Sequence, residues 1–186
     1  MHIAMETFAA RGYNNASIAE IADRAGLTQA GVLHYFRSKA NLLTSVLELR
    51  DQTDIEQLGP ERPQGLDFLR HLVDTAHRNA EREGIVRLYT VLSAESVTED
   101  HPARDYFRDR YTGLRAFVAD ALREACGLAP EDERAETAAN AIIAVMDGLQ
   151  VQWLLDPTSV TMAASTELVL DALLASLAPH RFTVQE

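Results

Sequence analysis

The alternation of apolar and polar positions over residues 17–39, SIAEIADRAGLTQAGVLHYFRSK, predicts two short helices joined by a tight turn. Ile18, Ile21, Ala22 and Ala25 recur at the three-and-four spacing of one buried helical face. Ser17 stands where an N-cap is needed, and Glu20, three residues on, completes a capping box. Gly26 falls where this helix must stop, and glycine accepts the left-handed conformation that such a stop usually needs. Leu27 is expected to plug the corner. Thr28 caps a second helix in which Val32 and Phe36 lie one turn apart and point inward. Gln29, Ala30, Leu33, His34 and Tyr35 are left for an outer face of mixed character and little charge. A helix pair whose second member shows such a face is what a helix-turn-helix presents to the major groove.

The same periodicity divides the rest of the chain into helices. Ile3 to Arg11 reads as a first helix, closed by Gly12. Ser38 caps a fourth that runs to about Gln57, before the breaker Gly59-Pro60-Glu61-Arg62-Pro63. Leu66 to Glu83 carries Leu66, Leu69, Leu72, Val73 and Ala76 on one stripe, Gly84 breaks it, and Ile85 to Glu95 forms a shorter helix. His101 to Cys126 places Phe107, Tyr111, Leu114 and Val118 on one side. Helices from about Glu131 to Leu155 and Ser159 to Leu177 complete an all-α chain of about nine helices. In the first of these two, Ala141, Ala144 and Gly148 make a small-residue ridge, and the last is apolar over a wide arc that includes Leu170 and Leu174. Together they carry more apolar surface than one small domain can cover, which points to a subunit interface, although packing within one subunit accounts for the same pattern. The boundary between a head (1–50) and a body (51–186) is expected inside the fourth helix.

Composition narrows the classes. The chain has 186 residues, 47% of them hydrophobic, enough for one or two small domains with a core. No long apolar run or charged-then-apolar leader is evident, so a cytoplasmic protein that spans no membrane is expected. Cys126 is the one cysteine, which excludes an internal disulfide framework and reads as a small packed side chain. The net charge of -11 is unevenly spread. Residues 1–50 carry Arg11, Arg24, Arg37, Lys39 and Arg50 against Glu6, Glu20, Asp23 and Glu48, five minus four, so the rest of the chain holds -12. A nearly neutral head on an acidic body can bind phosphate through a few cations and helix N-termini. There is no nucleophile elbow, phosphate loop or metal-spaced cluster, and His71 and His77, six apart, fall on different sides of a helix. No enzyme, cofactor or metal site is therefore expected.

The stretch GLTQAGVLHYFRSKANLL resembles the recognition helix and following anchor of the TetR family of transcriptional regulators, and Phe8 to Leu43, with Phe8-Ala9-Ala10-Arg11-Gly12-Tyr13 upstream, fits its amino-terminal domain. MDGLQVQWLLDP is similar to the first helix of the family's four-helix dimer bundle. The resemblance implies a three-helix helix-turn-helix DNA-binding domain followed by a helical ligand-binding and dimerisation domain. In the family a basic arm precedes the first helix, and this sequence starts inside that helix.

Carried over residue by residue, the resemblance implies that Ser17 and Thr28 meet phosphates and that Lys39 pairs with a phosphate at the edge of the site. Gln29 and His34 are the candidates for base edges, Ala30 and Gly31 permit close approach, and Tyr35 can reach a phosphate through its hydroxyl. Leu33 stands where the family often has tyrosine, so an apolar contact is the most it offers. A small apolar or aromatic effector is expected among Tyr89, Leu92, Tyr106, Arg110, Phe117, Met146, Gln150 and Trp153, residues that serve equally well as core. Ala141, Ala144, Gly148, Leu170 and Leu174 are the implied homodimer contacts. The expected function is a ligand-responsive transcriptional regulator, a repressor that binds a palindromic operator on double-stranded DNA as a homodimer. The rival is a helical small-molecule-binding adaptor that has lost DNA binding.

Overall fold

The computed structural model describes residues 1–57 and 62–178, side chains of 53–57 excepted, so most of the Gly59–Pro63 breaker and the chain from Pro179 onward lie outside the described residues. Among the described residues there are nine helices and no strand: α1 (His2–Asn15), α2 (Ile18–Arg24), α3 (Gln29–Tyr35), α4 (Lys39–Gln57), α5 (Gly65–Asn79), α6 (Glu83–Glu95), α7 (Arg104–Cys126), α8 (Arg134–Leu155) and α9 (Met162–Leu177). The chain is all-α, as its periodicity predicts. Gly12 does break α1, at φ 71 and ψ -178, but a further turn continues to Asn15. Gly84 does not break the chain. It lies in the first turn of α6, where the backbone N–H groups have no intrahelical partner in any case and a glycine disturbs little.

The helices form two compact units, Met1–Pro60 with Arg82–Asp109, and Glu61–Glu81 with Arg110–Glu186. In the first, α1 lies along α6 and against α4 and α2. Phe8, Leu42, Leu43, Val46 and Leu47 are fully buried there with Val86, Leu88 and Leu92 of α6. Each such side chain contributes about 1.5–3 kcal/mol by leaving water. Near the end of α4, Arg50 is buried with its guanidinium 4.7 Å from the Tyr89 ring centre and Nη1 donating to Asp51 Oδ1 at 3.2 Å. The Tyr106 hydroxyl donates to Asp51 Oδ2 at 2.6 Å, and the Phe107 ring meets both tyrosines edge-on. α4, α6 and the first residues of α7 are thereby knotted together.

In the second unit, Phe68, Leu69 and Leu72 of α5 pack with Val118 and Leu122 of α7, Ala139 and Ile142 of α8, and Leu170 and Leu177 of α9. Leu170, expected at a subunit interface, is only 4% exposed and belongs to this core, because it faces α5 and α8 rather than outward. Leu174 is half-buried against the same cluster. What α8 leaves open is Ala141, Ala144, Gly148, Val151 and Leu155, a row at alternating spacings of three and four, with Leu155 82% exposed. Ala164, Leu168, Ala172 and Ala175 are the exposed small and apolar positions of α9, with Leu168 71% exposed. α8 is also long and apolar enough to pass as a membrane span by length and composition, contrary to the sequence reading. Ala135, Ala138, Ala139, Ile142, Ile143 and Trp153 on its inner side are buried in the protein.

Candidate nucleic-acid interface

Both short helices of the pair are started by their caps. Ser17 Oγ accepts the Glu20 N–H at 3.1 Å, and Thr28 Oγ1 accepts the Gly31 N–H at 3.0 Å. A hydroxyl that accepts still has its own O–H to donate, so each cap can stabilise its helix and hold a phosphate oxygen at once. Glu20 does not reach back to complete the capping box. Its carboxylate takes Arg11 Nε at 2.9 Å, which ties α2 to α1. Arg24 makes a second tie, donating to Thr7 Oγ1 at 2.6 Å and Glu6 Oε2 at 2.7 Å.

Gly26 at φ 67 closes α2, and the Leu27 N–H returns to the Ala22 carbonyl at 2.9 Å. The left-handed step swings the chain away from the inner face of α2. Leu27 is therefore 57% exposed instead of plugging the corner, and Ala25 is exposed beside it. Ile18, Ile21, Ala22 and Val32 alone carry the buried seam of the pair.

On α3, Gln29, Ala30, Leu33, His34 and Tyr35 are all exposed, Tyr35 by 79%, and Gly31 is half-buried. The Gln29 amide and the Tyr35 hydroxyl have no hydrogen-bond partner among the described residues. His34 meets the Tyr35 ring edge-on at 5.4 Å. A Cβ at Gly31 would sit 3.1 Å from Thr28 Oγ1, so glycine keeps both the cap and a thin helix face.

Lys39 is engaged within the protein. Its Nζ donates to the carbonyls of Tyr13 at 2.7 Å, Ala16 at 2.9 Å and Asn14 at 3.4 Å, and lies 4.3 Å from the Tyr13 ring centre. An ammonium has three protons, and all three are directed at the orphaned carbonyls that end α1. Arg37, by contrast, is exposed between α3 and α4 with no acidic or carbonyl partner among the described residues. One signal of it lay in the sequence: no carboxylate stands within four residues of Arg37 on either side.

The expected effector residues are divided between the two units. Tyr89, Leu92 and Tyr106 belong to the first unit, where Leu92 is core and both tyrosines are engaged with Arg50 and Asp51. Arg110, Phe117, Met146, Gln150 and Trp153 belong to the second. Phe117 is 40% exposed, its ring edge-on to Phe68 at 4.7 Å. Met146 and Gln150 do line a narrow crevice with Ala76, Asn79, Met162 and Thr166, too tight as it stands to admit a water molecule. Thr166 is fully buried, and its hydroxyl finds no hydrogen-bond partner among the described residues. Asp147, on the neighbouring side of α8, accepts the Tyr111 hydroxyl at 2.7 Å. Burial pushes its carboxyl above the usual carboxylate range, against the opposing pull of Tyr111 and Arg110. No group of acidic, histidine or cysteine side chains among the described residues is arranged to hold a metal ion.

Residues 1–46 match the model for "Bacterial regulatory proteins, tetR family", and residues 67–179 match "BetI-type transcriptional repressor, C-terminal". The HTH-type transcriptional regulator TtgR of Pseudomonas putida is 27% identical over 180 residues, covering 90% of this chain and 84% of its own length. The HTH-type transcriptional repressor BepR of Brucella suis is 25% identical over 81% of this chain and 77% of its own. The regulator FadR of Bacillus subtilis, solved with stearoyl-CoA, superposes with a TM-score of 0.75 at 19% identity, covering 94% of this chain and 95% of its own. A regulator from Saccharomonospora viridis, solved with choline, superposes at 0.68 with 22% identity over 91% of each chain. These relatives are regulators of transcription, not enzymes, and the chain belongs to the TetR family of transcriptional regulators.

Proposed function

We propose that this protein is a repressor that binds a near-palindromic operator as a homodimer in the cytoplasm and is released by a small neutral effector. The observation that carries the reading is the outer row of α3, held by its Thr28 cap and exposed, with the Gln29 amide and the Tyr35 hydroxyl free of hydrogen-bond partners among the described residues. A row of that length touches only a few base pairs, so useful specificity needs a second copy. Phosphates fall to Ser17, Thr28, Tyr35 and Arg37. Gln29 and His34 face base edges, with Ala30 and Leu33 as apolar contacts and Gly31 giving room.

The second copy fits the open stripe Ala141, Ala144, Gly148, Val151 and Leu155 of α8 with the exposed face of α9. Leu174 remains at its margin, and Leu170 leaves the assignment. By role, the head is residues 1–50 and the regulatory body 51–186.

The ligands named with the two solved relatives, an acyl-CoA and choline, differ widely in size and charge, so the fold itself does not select an effector. The lining does. Asn79, Gln150 and Thr166 supply uncharged hydrogen-bonding groups, and Met146 and Met162 can re-pack to open the crevice. An apolar or aromatic compound with one or two hydroxyl or amide groups fits that lining. It displaces the equilibrium only by binding the released form better than the DNA-bound form.

The test is selection of duplexes from a randomised library by the purified protein, followed by binding of variants. A near-palindrome should be enriched, and Gln29→Ala should relax preference at one position of each half-site by about 1–3 kcal/mol. Failure to enrich any duplex would leave the adaptor as the better reading.

A further inference from the structure

The break at Gly12 has a use besides ending a helix. With φ at 71 the chain takes a conformation that only glycine adopts freely, and a Cβ there would lie 2.0 Å from Glu95 Oε1. The missing side chain is what admits the Glu95 carboxylate, from the last residue of α6, to the backbone of α1. There Glu95 Oε2 accepts the Tyr13 N–H at 2.7 Å. The carbonyl of the same residue accepts Lys39 Nζ from α4, also at 2.7 Å. Tyr13 is thus held by an anion at its N–H and a cation at its C=O.

His101 closes the anion's side. Its ring is buried and edge-on to Tyr13 at 5.3 Å, and Nδ1 accepts the Ala103 N–H at 3.2 Å. That bond assigns the proton to Nε2, which faces Glu95 Oε2 at 3.7 Å. On the cation's side, Lys39 also holds the Ala16 carbonyl, two residues before α2 begins. This contact therefore helps set the direction in which the chain enters α2, alongside the Arg11–Glu20 and Arg24 ties to α1, and through α2 the tilt of α3.

We propose that Glu95 and Lys39 are positioning residues for DNA binding, a two-sided clamp on Tyr13 that fixes the reading helix to α6 and α4. Neither side chain touches DNA in this account. The inference rests on α3 being the duplex reader, and its test separates the two ideas.

The probe is the duplex best enriched from a randomised library by the unaltered protein. Glu95→Gln, Glu95→Ala and Lys39→Met are compared with it for affinity, salt dependence and order of preference among single-base operator variants, after circular dichroism confirms folding. Because the same phosphates and bases are still met, Glu95→Ala should weaken binding at least tenfold with the slope of log affinity against log salt and the order of preference unchanged. Glu95→Gln, which keeps an oxygen for the Tyr13 N–H, should recover part of the loss. If Glu95→Ala alone fails to fold, Glu95→Gln and Lys39→Met carry the test. Since both side chains hold the backbone of Tyr13, one at its N–H and one at its C=O, Lys39→Met in the Glu95→Gln background should cost less than the two single losses combined. Variants that bind within twofold of the parent, or that lose a unit of salt slope as a lost phosphate contact does, overturn the clamp and leave the reading of α3 standing. A parent protein that enriches no duplex overturns both.

Discussion

Arg37 and Lys39 stand two positions apart and have opposite surroundings. Arg37 is exposed to solvent, whereas Lys39 is bonded to the end of α1. Arg37→Ala should therefore lower the salt slope of operator binding by about one and weaken all sequences alike, with thermal stability unchanged. Lys39→Met should instead destabilise the fold, by about 1.5–3 kcal/mol if its charged hydrogen bonds behave as such bonds do elsewhere. Thermal melts beside salt titrations of both variants check the contrast. Asp147 offers a separate measurement. Its carboxyl titrates above the ordinary carboxylate range in the folded chain, because burial disfavours the charged form more than Tyr111 and Arg110 favour it. A carboxyl with a raised folded pKa contributes stability below its unfolded pKa and loses it as pH rises through the folded value. Asp147→Asn, which can still accept the Tyr111 hydroxyl, should thus raise the melting temperature at pH 7, and the gain should disappear as pH falls below about 4.

At the scale of elements, the reading pair was legible because its signals are local. Ser17 and Thr28 are caps by chemistry, Gly26 is a stop by backbone freedom, and the apolar spacing of Ile18, Ile21, Ala22 and Val32 needs no distant partner. What the sequence does not display is mostly contact with partners far along the chain. Lys39 resembles a phosphate anchor until the carbonyls of Tyr13 and Ala16, more than twenty residues earlier, are brought beside it. Tyr89 and Tyr106 resemble pocket walls until Arg50 and Asp51 take them. Periodicity marks which faces of α8 and α9 are apolar, but not which of them the subunit uses itself, and Leu170, expected outward on that pattern, lies in the core. Gly84 looks like a breaker because glycine in a helix interior is unfavourable, a rule that does not hold in the first turn.

At the scale of the molecule, one head alone reads too little DNA and one body leaves an apolar stripe uncovered, and a two-fold pair of chains answers both needs. Leu155→Glu combined with Leu168→Glu places charges in the centre of the proposed contact. Sedimentation equilibrium should find that variant monomeric at concentrations where the parent is dimeric, with its helical circular dichroism intact. The claim on which the account turns is that two copies of α3 enter successive major grooves of one duplex. A base-by-base substitution scan of the enriched duplex tests it most directly. Two inverted half-sites should appear, with centres about 10–10.5 base pairs or a multiple apart and about 1–3 kcal/mol lost for each wrong base within them. A single half-site, or losses spread evenly along the duplex, would contradict the account.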